Sequence, residues 1–253
     1  MDVPSSLDPL FARFDPITLA EMDAVALQSR TDTKYVFSTG LLPGILEHLR
    51  PEYRLLHIHG EPGGRYRSLY LDTPDRRHYL DHHNGRTFRN KVRFREYVGS
   101  DLCYLEVKRK TGRGDTDKVR MRVPGIPEVP TAEQLAFVRT ATGREEVLAP
   151  VLWNSFTRYT FVHRTRHERL TMDLGLTFTA GAETFALTGT CVAELKEERA
   201  DRRSPFTALM RALGQRPRGM SKYCVGLIGL GLAPRANNFK PVLLHLRKLR
   251  AAA

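Results

Sequence analysis

Between Arg86 and Arg122 the charges of this chain fall on one parity. Arg89, Lys91, Arg93 and Arg95 recur every second residue around Val92 and Phe94. Glu106, Lys108 and Lys110 follow around Val107 and Arg109, then Lys118, Arg120 and Arg122 around Val119 and Met121. In a β-strand alternate side chains face opposite sides of the sheet. These segments therefore put cations on most of one face and apolar groups on the other. The apolar face must be buried, so the cations face either open solvent or an enclosed polar space. A solvated face would mix signs more evenly, because directly opposed like charges destabilise a sheet. The enclosed reading is therefore preferred. Guanidinium groups offer planar, multi-donor contacts to phosphate oxygens, and ammonium groups offer point charges.

A few acids share the parity of these cations. Arg30, Asp32 and Lys34 alternate, as do Arg65 and Arg67; Glu106 aligns with Lys108, Glu194 aligns with Lys196, and Asp173 follows Arg169. A carboxylate held among cations is costly unless it pairs with one or binds a metal. Magnesium and manganese take oxygen ligands and bridge to substrate phosphates through one or two protein carboxylates. Glu194 is the first candidate ligand, with Glu106 and Asp173 behind it. The alternative for each is a cross-strand salt bridge.

Other chemistries find no pattern. The TGRG run at 111–114 lacks the spacing of a phosphate-binding loop, and there is no GxSxG, HExxH or CxxC. The nine histidines are scattered, and His82 and His83 read as solvated surface. Cys103, Cys191 and Cys224 have no metal or disulfide spacing and read as small buried hydrophobes. Aromatic residues near the cations are sparse for a nucleic-acid surface: Phe88, Phe94, Tyr97 and Tyr104, with Phe94 on the opposite parity. No specific nucleic-acid partner is expected.

The elements that must position these residues are mostly strands. Strands are expected at Arg30 to Phe37, Arg65 to Leu71, about 86–98, 102–110, 117–123, 156–165, 168–174, 176–179 and 190–198. Helices are expected from Asp15-Pro16 toward Gln28, over Leu41 to Leu49, after Thr73-Pro74, over 131–141 and 144–153, and after Ser204-Pro205. Lys240 to Arg250 is a short basic amphipathic stretch, read as a packed terminal helix with a membrane surface as the alternative. Regular βα alternation is absent, which argues against a doubly wound sheet. The expected fold is α+β: a closed antiparallel β-barrel with helices packed on the outside.

The chain of 253 residues fits a single domain, with a core at about 16–230 and a basic tail at 231–253. Its formal net charge of +12 suits polyanionic partners. Its 41% hydrophobic content marks a folded protein rather than a disordered basic tail. The start, MDVPSSLDPLFARFD, has no signal-peptide pattern, and no run reaches the roughly 18 apolar residues of a membrane span. A cytoplasmic location is expected, with the inner-membrane periphery as the alternative.

Several segments match a known family. QSRTDTKYVF (28–37), YRSLYLDTPDRRHYLDHH (66–83), GRTFRNKVRFREY (85–97), YLEVKRK (104–110), RLTMDLGLTF (169–178), VAELKE (192–197) and MSKYCVGL (220–227) together resemble the vacuolar transporter chaperone (VTC) catalytic domain. That domain is a polyphosphate polymerase among the triphosphate tunnel metalloenzymes, relatives of the CYTH group. The resemblance implies a β-tunnel whose bore is lined with Arg, Lys and Glu. It implies metal-dependent transfer of the ATP γ-phosphate, with Mn²⁺ or Mg²⁺, onto a growing inorganic polyphosphate chain.

By motif position it assigns Lys34, Arg65, Arg67, Arg93, Arg95, Lys108, Arg158, Lys196, Ser221 and Lys222 to phosphate binding, and Glu194, Glu106 and Asp173 to the metal. Arg89, Lys91, Lys118, Arg120 and Arg169 are further wall residues. No protein nucleophile is required. Where the wider group opens with ExExK, this chain reads Arg30-x-Asp32-x-Lys34, which favours a polymerase over a simple triphosphatase. Where the family carries a further Lys before the Ser-Lys pair, this chain has Arg218-Gly219-Met220. The resemblance is to the stand-alone prokaryotic form, for which a membrane-associated partner protein is one expectation. A tunnel triphosphatase and a non-catalytic polyphosphate-binding module are the alternatives.

Overall fold

The structure is a computed structural model that describes residues 7–24, 31–112 and 116–251. Its strands are β1 (Pro16–Ile17), β2 (Thr31–Ser38), β3 (Tyr53–Ile58), β4 (Glu61–Pro62), β5 (Gly64–Asp72), β6 (Arg89–Val98), β7 (Cys103–Lys110), β8 (Thr116–Arg122), β9 (Ala149–His163), β10 (Glu168–Ala180), β11 (Glu183–Ala186) and β12 (Thr190–Glu197). Its helices are α1 (Asp8–Phe11), α2 (Leu19–Ala24), α3 (Leu42–Leu49), α4 (Arg77–His83), α5 (Ala132–Thr142), α6 (Pro205–Ala212), α7 (Lys222–Gly229) and α8 (Lys240–Ala251).

The strands form one sheet with the main order β2-β12-β10-β9-β5-β6-β7-β8; β11 adds to β10, and β3 carries β1 and β4 beside β9. The pairings along the main order are antiparallel, and β1 with β3 is parallel. The sheet curls. Lys108 of β7 feels the charges of Lys34, Glu194 and Asp32, which lie on β2 and β12 at the other end of the ladder. The expected tunnel is present, but the expected closure by hydrogen bonds is not: β2 and β8 are ladder ends among the described residues. On the inner face the β2 edge presents Asp32 and Lys34, and the β8 edge presents Lys118 and Arg120.

The outer face is apolar, as parity requires. Tyr35, Phe37, Phe161, Leu170, Met172 and Leu195 pack under Phe11, Ile45, Leu46, Phe206 and Met210 of α1, α3 and α6. Leu69, Leu71, Val92, Phe94, Leu105 and Val107 pack with Val138 of α5. Helix α5 forms because Thr131 and Gln134 make a reciprocal capping box and Gly143 ends it at φ +66°.

One part of the expectation changes. Helix α7 does not lie outside; it packs into one end of the concave face with α8, where Val36, Val192, Phe156 and Tyr70 meet Tyr223, Cys224, Val225 and Leu227. The cation array ends there, and the apolar residues that replace it need cover. His245 of α8 contacts the Val36 carbonyl at 2.7 Å, so this helix is packed on the sheet. Among the described residues no helix is long and apolar enough to cross a membrane.

Other elements depart from the sequence reading. Residues 149–153, expected in a helix, open β9; residues 168–180 form one long strand whose pairing with β9 is irregular between Leu174 and Thr177. Asp15-Pro16 leads into the short β1 rather than a helix, and α2 follows at Leu19; the remainder of that expected helix and Arg30 lie outside the described residues. His83 is buried and contacts Asn84 and Asn237, and His82 is half-buried, so neither is solvated surface. The three cysteines are buried and free, as expected.

Candidate active site in the bore

Register shows which side chains share the concave face. On β6 and β7, Arg93 lies opposite Glu106, Lys91 opposite Lys108, Arg89 opposite Lys110 and Arg95 opposite Tyr104. Lys118 and Arg120 of β8 continue the rows of Lys108 and Glu106. Across β5, Ser68 and Tyr70 lie opposite Arg95 and Arg93. On the other wall Arg158 faces Asp173, Arg169 faces Lys196, Thr171 faces Glu194, and Glu194 faces Lys34. The sheet curls these two rows toward each other.

Glu106, Asp173 and Glu194 sit among these cations and are held in two ways. Glu106 is 1% exposed; the Arg93 guanidinium donates to it through Nε at 2.8 Å and Nη2 at 2.7 Å, and Lys118 also pairs with it. Burial alone would raise its pKa, but Arg93, Arg95 and Lys118 outweigh burial and hold it down at about 2. Asp173, 2% exposed, receives Arg158 Nε at 2.6 Å and Nη2 at 2.8 Å, and Lys222 Nζ at 2.5 Å. Burial again pushes upward, and Arg158 and Lys222 bring its pKa to about 2. Glu194 differs, because two ammonium groups hold it: Lys34 at 2.6 Å and Lys196 at 2.6 Å. Against the penalty of burial they pull its carboxyl far below the usual range. Lys196 also reaches Asp32 at 3.5 Å.

The cations are shifted as well. Burial, assisted by Lys108, Arg93 and Arg89 and opposed by Cys224, lowers Lys91 to about 8. Burial and the neighbouring Arg93 lower Arg95 to about 10. Lys91 donates to Ser221 Oγ at 3.2 Å, and the same hydroxyl caps α7 by accepting from the Cys224 N–H. The start of α7 thus joins the bore, with Ser221 and Lys222 at its first turn. Its placement has a definite anchor. The fully buried Asp72 accepts from the Tyr223 hydroxyl and from the N–H groups of His78 and Tyr79 at the start of α4.

The structure thus brings Lys34, Arg93, Arg95, Lys108, Arg158, Lys196, Ser221 and Lys222 to one concave face with Glu194, Glu106 and Asp173. It does not bring Arg65 and Arg67 there. Both lie on the outer face of β5, opposite Val98 and Glu96. Arg67 pairs with Glu96 at 2.8 Å and stacks over Trp153 at 4.7 Å. Arg89, Lys91, Lys118, Arg120 and Arg169 share the inner face by register. The Arg218 N–H donates to the Lys34 carbonyl at 2.7 Å, tying the segment before Ser221 to β2. Sequence reading missed the Asp72–Tyr223 anchor, although both residues stand inside the matched segments.

The model of the VTC domain family matches residues 29–230, most of the chain, from β2 through α7. The chain belongs to the VTC domain family. Solved structures similar to this VTC domain include an adenylate cyclase-like protein from Vibrio parahaemolyticus, 12% identical, with a TM-score of 0.46 over 78% of this chain and 99% of that one. A protein from Hippeastrum, described as having a dominant triphosphatase activity, is 16% identical, with a TM-score of 0.45 over 80% and 97%. An RNA triphosphatase from S. pombe is 9% identical, with a TM-score of 0.32 over 99% and 94%. Among curated proteins no match was found.

Proposed function

We propose that this VTC domain is a polyphosphate polymerase that transfers the γ-phosphate of ATP to a growing inorganic polyphosphate chain in its cationic bore. The observation that carries the reading is the convergence of Lys34, Arg93, Arg95, Lys108, Arg158, Lys196 and Lys222 on one concave face around Glu106, Asp173 and Glu194. Phosphoryl transfer asks little covalent work of the protein; it needs alignment of the phosphates and neutralisation of their charge. Arg93 and Arg158, whose forks are held by Glu106 and Asp173, bring fixed guanidinium charge to the phosphates, Arg95 adds a guanidinium that no carboxylate grips in a fork, and the lysines add charge along the chain. The acceptor is a phosphate oxygen, so no protein nucleophile enters.

A divalent cation, Mn²⁺ or Mg²⁺, fits in one mode. Among the described residues no group of three or more His, Cys, Asp or Glu could hold a metal. A cation that takes one protein carboxylate, water and substrate phosphate oxygens does not need such a group. Glu194 suits that role best, because flexible lysines hold it, whereas Glu106 and Asp173 are pinned by guanidinium forks. Bound there, the metal supplies charge neutralisation at the transferred phosphate. When phosphates enter, Lys34 and Lys196 turn to them and release the Glu194 carboxylate.

The test incubates purified protein with ATP and Mn²⁺ or Mg²⁺ and separates the products by size on a gel. Long phosphate chains are expected, and Glu194→Gln should reduce their formation by about a hundredfold or more, on the scale of a lost charge-stabilising contact. Release of orthophosphate alone would replace the polymerase reading with a tunnel triphosphatase. Full turnover by Glu194→Gln would remove the metal role from Glu194.

A further inference from the structure

One part of the concave face sets aromatic rings among its cations. Along the rim formed by the β6–β7 hairpin, the inward positions are Tyr97, the last inward residue of β6, and Tyr104, opposite Arg95. Tyr66 of β5 lies opposite Tyr97. The rings form an arc: Tyr66 to Tyr97 with centroids 4.9 Å apart, and Tyr97 to Tyr104 at 6.2 Å. Tyr66 is stacked on Phe156 at 5.4 Å and so continues the packed wall. Tyr97 and Tyr104 belong to none of the hydrophobic clusters and are half-exposed. They are aromatic faces turned into a polar bore without a core to explain them.

Cations surround the arc. The Arg120 guanidinium lies 4.6 Å over Tyr104, and Arg95 and Arg158 lie 5.5 and 5.2 Å from the Tyr66 centroid. Aromatic rings beside a phosphate grip are the arrangement that holds a nucleobase, since every base has a π-face and its phosphates need cations. Spacing agrees. Tyr97 and Arg93 are four residues apart on β6, roughly 13 Å at about 3.4 Å per residue. An extended nucleoside triphosphate with its base at the arc lays its phosphates over Arg95 and toward the Arg93–Glu106 row.

We propose that Tyr97 and Tyr104, backed by Tyr66 and Arg120, form a stacking site for the base of a nucleoside triphosphate. The site makes the bore prefer a nucleotide donor over inorganic triphosphate, and it orients the donor with its base at the hairpin rim and its terminal phosphate inward. This rests on the reading of the bore as a phosphate-binding tunnel. It goes beyond that reading by giving the donor's nucleoside a seat.

The test is equilibrium binding by calorimetry, in chelator-containing buffer, of a β,γ-imido ATP analogue and of inorganic triphosphate. The proteins are the unsubstituted chain, Tyr97→Ala/Tyr104→Ala and Tyr97→Phe/Tyr104→Phe. On the scale of base–aromatic stacking, the alanine pair should weaken the analogue roughly 5- to 100-fold and leave triphosphate within about twofold. The phenylalanine pair, which keeps the rings, should bind both ligands like the unsubstituted protein. Triphosphate binding in the same alanine variant shows that the bore is intact. Equal loss for both ligands, no loss for either, or an unsubstituted protein that binds the analogue no tighter than triphosphate would overturn the base site while leaving the tunnel reading in place. Failure of the unsubstituted protein to bind either ligand would bring down both.

Discussion

Lys91 is a residue whose charge the bore controls. It sits opposite Lys108 and donates to Ser221, and burial lowers its pKa to about 8. Below that value it is an ammonium ion; above it the amine is neutral and attracts phosphate less. The Lys91 contribution to the affinity for inorganic triphosphate is therefore expected to be lost as pH rises through about 8, read as the affinity ratio of Lys91→Arg to the unsubstituted protein, in which the ligand's own ionisation cancels. The bore carboxylates give no compensating change there, because Glu106 and Asp173 titrate near 2. Lys91→Arg keeps its charge at every accessible pH and should remove that decline. Calorimetric titration of both proteins on either side of the midpoint checks it, and an affinity ratio that does not change with pH would refute the assignment. At this scale alternation was legible for β6, β7 and β8, because each strand alternates strongly enough to fix its own faces. It was equally legible for β5, where Arg65 and Arg67 share parity with Leu69 and Leu71, the residues that pack outward. Motif matching overrode that signal and placed the two arginines in the bore. The pairing of Glu194 with Lys34 crosses strands far apart in sequence, and no single-segment pattern carries it.

Helix α7 shows how an element brings Ser221 and Lys222 to the strands. Its sequence, KYCVGLIG, has glycine and β-branched residues that favour no helix by propensity. Ser221 caps it, and Tyr223 anchors it to the buried Asp72. Its glycines let it lie close: a Cβ at Gly226 would collide with the Phe178 ring, and one at Gly229 with Phe185. Tyr223→Phe removes the hydroxyl and leaves one Asp72 oxygen short of a buried partner. A loss of about 1–3 kcal/mol in stability is expected, measured by urea denaturation. Triphosphate affinity should fall with it, because the Lys222 ammonium loses its register with Asp173; unchanged stability and affinity would show that the anchor does not hold α7. The matched segment 220–227 flagged this region in the sequence, but its helical state depends on tertiary packing. The opposite error arose at 149–153, a short apolar run that periodicity cannot assign between helix and strand. Its edge-on pairing with Leu71 and Asp72 of β5 decides for strand.

At the scale of the molecule, one-sided charge is what demands a tunnel. A sheet with an apolar outer face and a cationic inner face buries the first under helices and curls the second into a bore. That much followed from parity and from a net charge of +12. That β2 and β8 end the ladder instead of pairing did not, because pairing between strands so far apart in sequence leaves no local signal. The curl also divides the arginines of the matched segments into two populations, inner Arg93 and Arg158 and outer Arg65 and Arg67. They are the same residue type in the same family motifs and differ in the face they occupy. The most direct test of the account is the calorimetric affinity of inorganic triphosphate for two double variants, Arg93→Gln/Arg158→Gln and Arg65→Gln/Arg67→Gln. With each lost charge-assisted contact contributing about 1.5–3 kcal/mol, the inner pair should weaken binding roughly a hundredfold or more, and the outer pair should leave it within about twofold. Comparable losses from both pairs, or a larger loss from the outer pair, would contradict a phosphate site on the concave face.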